Sequence, residues 1–118
     1  MTKRPDGQLE YDVLGVLWAS EVPVAPADVN ERLDLGLAYT TVATVLTRLH
    51  AKGLARREPS GRAYVYSAMI DESEFALRRI DDALSASSDR SKVLARFVGR
   101  LSAREAMQLR ALLDDQGA

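Results

Sequence analysis

Thr40-Thr-Val-Ala-Thr-Val-Leu-Thr-Arg-Leu-His-Ala-Lys-Gly-Leu-Ala-Arg-Arg57 is the stretch whose reading decides the fold. Tyr39, Val42, Val45, Leu46 and Leu49 recur at helical spacing and predict a helix from about Ala38 to Lys52 with a buried back. Its other face carries short hydroxyls and a cation: Thr40, Thr41, Thr44, Thr47 and Arg48. Gly53 stands where a helix commonly ends in a left-handed residue. A helix with an apolar back, a small polar front and a basic exit matches the space and chemistry of a DNA major groove.

Working outward, Gln8–Ser20 places Leu9, Val13, Val16 and Leu17 on one helical stripe, with Leu14 and Trp18 beside it. Gly15 interrupts that helix and implies close packing against a neighbour, since Gly there costs about 1 kcal/mol relative to Ala. Pro26 suits the first turn of a second helix, about Pro26–Leu35, with Val29 and Leu33 inward. Leu35-Gly-Leu37 then forms the turn of a helix-turn-helix. Val22-Pro-Val-Ala-Pro26 has room for a short strand. Leu54–Pro59 and Ala63–Ala68, joined by Pro59-Ser-Gly-Arg62, predict a hairpin wing. The fold class is therefore mainly α with a small β-wing: a winged helix-turn-helix over residues 1–70, followed by a helical region over residues 71–118.

In that second region Asp71-Glu-Ser-Glu74 and Ser102-Ala-Arg-Glu105 have capping-box spacing. The helices behind them, with one between from about Ser91 to Leu101, expose apolar stripes that include Leu77, Ile80, Leu84, Val93, Leu94, Phe97, Leu101, Leu109, Leu112 and Leu113. About 50 residues of amphipathic helix are marginal alone. A second copy of the same helices is the simplest cover, so these ten residues are expected to form a homodimer contact. Residues 1–7 read as a flexible arm, and Asp114–Ala118 should fray.

Composition narrows the function. The 118 residues are 47% hydrophobic and 28% charged, with net charge −1. They hold no cysteine and a single histidine, His50, so no thiolate chemistry is possible and neither a metal site nor a cofactor is expected. No apolar run has membrane-spanning length and no secretory pattern is visible, and the chain is expected in the cytoplasm. Enzymatic signatures are absent, and the pairs Asp81-Asp82 and Asp114-Asp115 read as solvated faces. Between Arg48 and Arg62, however, five cations face only Glu58. The distribution of charge matters more here than its total.

These residues divide into roles. Thr40, Thr41, Thr44 and Arg48 are the candidate base readers on double-stranded DNA, and Lys52, Arg56, Arg57 and Arg62 are the candidate phosphate contacts. If each of two subunits neutralises about four phosphates, log K falls against log salt with a slope of about −7. Tyr64 and Tyr66 share a strand face and suit packing of the wing on the core. His50 reads as a surface or phosphate-adjacent residue. An ordinary solvated helix face is the plainer account of the threonines. The rival of another class is a winged-helix protein-interaction module without DNA binding. Such a module would gain acids or large apolar groups on the face that here keeps Thr and Arg.

The same residues resemble the penicillinase-repressor (BlaI/MecI/CopY) family. Leu9-Glu10, Val13-Leu14 and Leu17-Trp18 are similar to its first helix. Thr41-Val-x-Thr44-x-Leu-x-Arg48-Leu-x-x-Lys-Gly53 resembles its recognition-helix core, and Arg62-x-Tyr64-x-Tyr66 its wing. The resemblance implies a dimeric repressor on palindromic operators of resistance or stress genes. It also implies release by cleavage in the C-terminal region, triggered by a membrane sensor protease. The cut in staphylococcal members falls at an Asn–Phe bond, and Arg96-Phe97 is the matching place here. The cysteine-rich metal motif of the copper-responsive branch has no counterpart in this chain.

Overall fold

In the computed structural model, which describes residues 6–117, the elements run α1 (Asp6–Ala19), α2 (Pro26–Leu33), α3 (Tyr39–Ala51), β1 (Ala55–Ser60), β2 (Ala63–Ala68), α4 (Glu72–Ala86), α5 (Arg90–Gly99) and α6 (Ala103–Gly117). The winged helix-turn-helix is present as expected. The proposed N-terminal arm falls mostly outside the described residues, and α1 already includes Asp6. At the other end α6 runs on to Gly117 where fraying was expected from Asp114.

The chain divides into two compact units, Met1–Ala76 and Leu77–Ala118. The division falls later than residue 70 because the first turn of α4 joins the first unit's core. Phe75 is buried there and its ring lies 6.1 Å from that of Trp18 and 6.1 Å from that of Tyr11. Tyr11 and Trp18 meet edge to face at 5.7 Å, a favoured geometry for aromatic pairs. Trp18 is half-buried rather than fully in the core, and its indole N–H donates to the Ile70 carbonyl at 2.7 Å. The Tyr11 hydroxyl donates to Glu72.

The core of the first unit is built from the helix faces that the periodicity marks. Val13, Leu14 and Leu17 of α1, Val29 of α2, and Val42, Val45, Leu46 and Leu49 of α3 are buried, joined by Leu54, Ala55 and Tyr66 from the wing. Two apolar positions depart from expectation. Tyr39 is half-exposed, because it is the first residue of α3 and side chains lean toward a helix N-terminus, away from the packed middle. Gly15 has no heavy atom within 4 Å of where a Cβ would stand, so close packing is not its reason. Gly15→Ala is therefore expected to raise stability by about 0.5–1 kcal/mol, read as a higher denaturant midpoint with an unchanged slope.

The turns carry their own chemistry. Asp34, with φ 52°, ends α2, and the Asn30 amide donates to the Leu37 carbonyl at 3.0 Å across the turn. α3 closes in a Schellman motif: Gly53 N–H donates to His50 O at 3.0 Å and Leu54 N–H to Leu49 O at 2.9 Å, with Gly53 at φ 77°. β1 and β2 pair antiparallel from Ala55↔Ala68 to Ser60↔Ala63 around the two-residue loop Gly61-Arg62. The strand expected in Val22–Pro26 is reduced to a single bridge, in which Val24 and Tyr66 exchange both backbone hydrogen bonds at 2.8 and 2.9 Å.

The second unit consists of α5, α6 and the rest of α4. Both predicted caps form. Asp71 accepts from Glu74 N–H at 2.8 Å and from the Ser73 hydroxyl at 2.9 Å. Ser102 and Glu105 exchange reciprocal bonds at 2.9 and 3.1 Å. The Glu74 amide above all holds the Asp71 carboxyl below the usual carboxylate range, and the Ser102 amide does the same for Glu105. Lowered folded values mean that both caps are fully formed above the ordinary carboxylate range and weaken only as pH falls through the lowered values. Asp89 adds a cap that the sequence reading lacks, accepting from Lys92 N–H at 3.0 Å, which starts α5 at Arg90.

Candidate nucleic-acid interface

With Val42, Val45, Leu46 and Leu49 inward, the outward face of α3 is determined. Thr40, Thr41, Thr44, Thr47 and Arg48 are all exposed. Thr40, Ala43, Thr44, Thr47, Arg48 and Ala51 line one shallow surface concavity, and Thr41 is exposed on the same helix. Among the described residues no carboxylate pairs with Arg48, so its guanidinium faces solvent with its charge unspent.

The four expected phosphate contacts are not equivalent. Arg62 stands exposed in the wing loop. Arg56 and Arg57 are neighbours in β1 and therefore project from opposite faces of the hairpin. Arg57 shares its face with Tyr64 and Tyr66, and its guanidinium carbon lies 4.3 Å above the centre of the Tyr64 ring. Such stacking holds a cation at about 0.5–1 kcal/mol while leaving its charge available. Arg56 lies on the other face, 3.6 Å from Glu58, in an exposed pair of small energetic weight.

Lys52 is half-exposed but already has a partner. Its ammonium donates to both carboxylate oxygens of Glu10 at 3.0 Å, joining the exit of α3 to α1. Glu10 is buried, so its charge depends on this partner, and a cation also suits the C-terminal end of α3. The pair fastens α3 to α1 at the edge of the core, which competes with a phosphate contact by Lys52. Lys52→Met, which keeps the aliphatic stem, is expected to cost about 1–3 kcal/mol of stability because a buried carboxylate loses its donor. A denaturation curve that matches the wild type would remove this structural role.

His50 is likewise a structural residue in this geometry. It is half-buried, and its Nδ1 lies 3.2 Å from the Ala55 carbonyl, clipping α3 to β1. Tyr66 is buried in the core as expected of the wing, whereas Tyr64 is 43% exposed beneath Arg57. Among the described residues no three His, Asp or Glu side chains gather in a way that could hold a metal ion, and no helix is long and apolar enough to cross a membrane.

Residues 6–115 match the penicillinase repressor family. The chain belongs to that family. The transcriptional regulator BlaI of Mycobacterium tuberculosis (strain CDC 1551 / Oshkosh) is 38% identical over 112 residues, which cover 91% of this chain and 81% of that protein. Among solved structures, the DNA-binding domain of the repressor BlaI is similar with a TM-score of 0.52 at 31% identity, over 63% of this chain and 93% of that one. A point mutant of MepR from S. aureus, bound to an oligodeoxyribonucleotide, shares the fold, with a TM-score of 0.51 at 21% identity over 92% of this chain and 75% of its own.

Within this penicillinase-repressor family member, the sequence placed Thr47 on the polar face of α3 without giving it a reading role, and it did not separate Arg56 from Arg57. Thr47 lies in the same concavity as Thr40, Thr44 and Arg48, although it is not among the four expected readers. Its spacing of seven from Thr40 was the available signal, because such residues overlap on a helix face. The division of labour between Arg56 and Arg57 had its signal in the two-residue period of strands.

Proposed function

We propose that this penicillinase-repressor family member is a DNA-binding transcriptional repressor that acts in the cytoplasm as a homodimer on palindromic operators. The observation that carries the reading is the two-faced α3. Its back is locked by four buried aliphatic residues, and its front offers threonine hydroxyls and an Arg48 that no described carboxylate pairs. A rigid helix with that front presents hydrogen-bonding and methyl groups at the spacing of base edges. In this reading Thr41, Thr44 and Arg48 read bases, with Thr40 assisting from the same exposed face. Arg57 and Arg62 hold phosphates beside the groove, and Arg56 contributes from the other face of the wing.

The second unit supports the dimer. Of the ten expected contact residues, Leu84 is buried and Leu101 and Leu109 are half-buried. Leu77, Ile80, Val93, Leu94, Phe97, Leu112 and Leu113 are between 38% and 63% exposed. Apolar exposure of this kind supports a protein contact surface there. Pairing two copies would set two α3 helices on half-sites about one DNA turn apart. Arg96 and Phe97 are both exposed, so cleavage at that bond by a membrane sensor protease is the proposed route of release. Operators of resistance or stress genes are the proposed targets.

The salt dependence of binding tests the reading. With Lys52 committed to Glu10, about three cations remain for phosphates in each subunit. The log–log slope for the dimer is then about −5, shallower than the −7 that four would produce. A titration of a selected genomic duplex over roughly 50–200 mM salt measures it. A slope near −3 would indicate one subunit on the DNA, and a slope near zero would overturn DNA binding.

A further inference from the structure

The threonines of α3 are not chemically alike. Thr47 donates its hydroxyl to the Ala43 carbonyl at 2.9 Å, one turn back in the same helix. Among the described residues none takes the hydroxyl of Thr40, Thr41 or Thr44. An exposed threonine whose O–H is spent on the helix backbone has no hydrogen left to donate to a base edge, and its methyl becomes its main outward contact. Thr47 also sits within the concavity of α3, between the Cβ methyls of Ala43 and Ala51 and beside Arg48. Of the groups displayed in the major groove, the 5-methyl of thymine is the one that an apolar contact of this size recognises.

We propose that Thr47 is a specificity-determining residue that reads the 5-methyl group of a thymine in each half-site, through its own methyl and independently of its hydroxyl. The proposal rests on α3 being the reading helix, as argued above. It assigns Thr47 a role different from those of Thr40 and Thr44, whose hydroxyls remain free to bond base edges.

Deoxyuridine replaces thymine without changing any Watson–Crick hydrogen bond and removes only the methyl. A tight-binding duplex is first selected from a random pool with the full-length protein. Each thymine is then replaced singly by deoxyuridine, and affinities are measured at fixed salt. At one position or more in each half-site, affinity is expected to fall about fourfold, the equivalent of one buried methyl at roughly 0.8 kcal/mol. Thr47→Ser keeps the hydroxyl and loses the methyl, so it should bind the thymine and uracil duplexes equally. Thr47→Val keeps a methyl and loses the hydroxyl, so it should retain the preference for thymine. Helical circular dichroism of both variants confirms that they are folded. Equal binding of all uracil duplexes by the wild type overturns the proposal, as does a thymine preference that survives in Thr47→Ser. Selection that yields no bound duplex at all would instead overturn the DNA-binding reading itself.

Discussion

Leu46→Ala is expected to cost about 2–5 kcal/mol of folding stability, the largest effect of any single substitution considered for this chain. Leu46 is fully buried in the middle of α3, among the side chains that lock the helix to the core. Truncating it removes the transfer energy of a leucine side chain and leaves a cavity that stiff Val42 and Val45 neighbours fill poorly. For a domain of this size the thermal midpoint should drop by roughly 10–30 °C. The functional consequence follows from mass balance. At temperatures where the variant is folded, its affinity for a duplex should approach the wild-type value, because none of the exposed α3 groups has changed. Near the lowered midpoint, apparent affinity should fall with the folded fraction. Circular dichroism melting beside binding isotherms at two temperatures tests both parts. A loss of less than about 1 kcal/mol would mean that the back of α3 does not carry the core.

Arg48→Ala and Arg62→Ala are expected to separate reading from holding. Arg48 projects from the exposed face of α3 with no described carboxylate to neutralise it. Its removal should cost about 1–3 kcal/mol on a selected duplex, about 5- to 150-fold in affinity, and should narrow the gap between selected and random DNA. Arg62 stands in the Gly61-Arg62 loop at the end of the wing, where it can meet the backbone. Its removal should weaken selected and random duplexes by similar factors and reduce the salt slope by about one unit per subunit. Stability should barely change in either variant, since both side chains are exposed. If the two variants show the same ratio of selected to random binding, the assignment of roles is wrong. The protein-interaction alternative makes a different prediction: neither substitution would alter any duplex titration.

Much of this interface was readable because it is local. The spacing of Val42, Val45, Leu46 and Leu49 specifies one face of a helix, and the identity of the opposite face follows with no knowledge of the rest of the chain. Gly53 at φ 77° and the caps at Asp71 and Ser102 are likewise local matters, each settled within about four residues. Tyr39 shows the limit of the same reasoning. It lies at the right angle on the helix but at its first position, beyond the depth of the core, and periodicity does not encode depth. Gly15 invited an explanation by packing, and the space over it is open.

The sequence by itself determined the helix-turn-helix and wing, the buried back and polar front of α3, and the concentration of cations at its exit. It did so because periodicity and end-capping are written in residues a few positions apart. Only the tertiary structure decided which of those cations are spent. Lys52 meets a carboxylate 42 residues earlier in the chain, Arg56 and Arg57 part to opposite sides of the hairpin, and Arg57 comes to rest on Tyr64. A charge is worth what its surroundings leave of it, and those surroundings are assembled by packing between elements far apart in sequence.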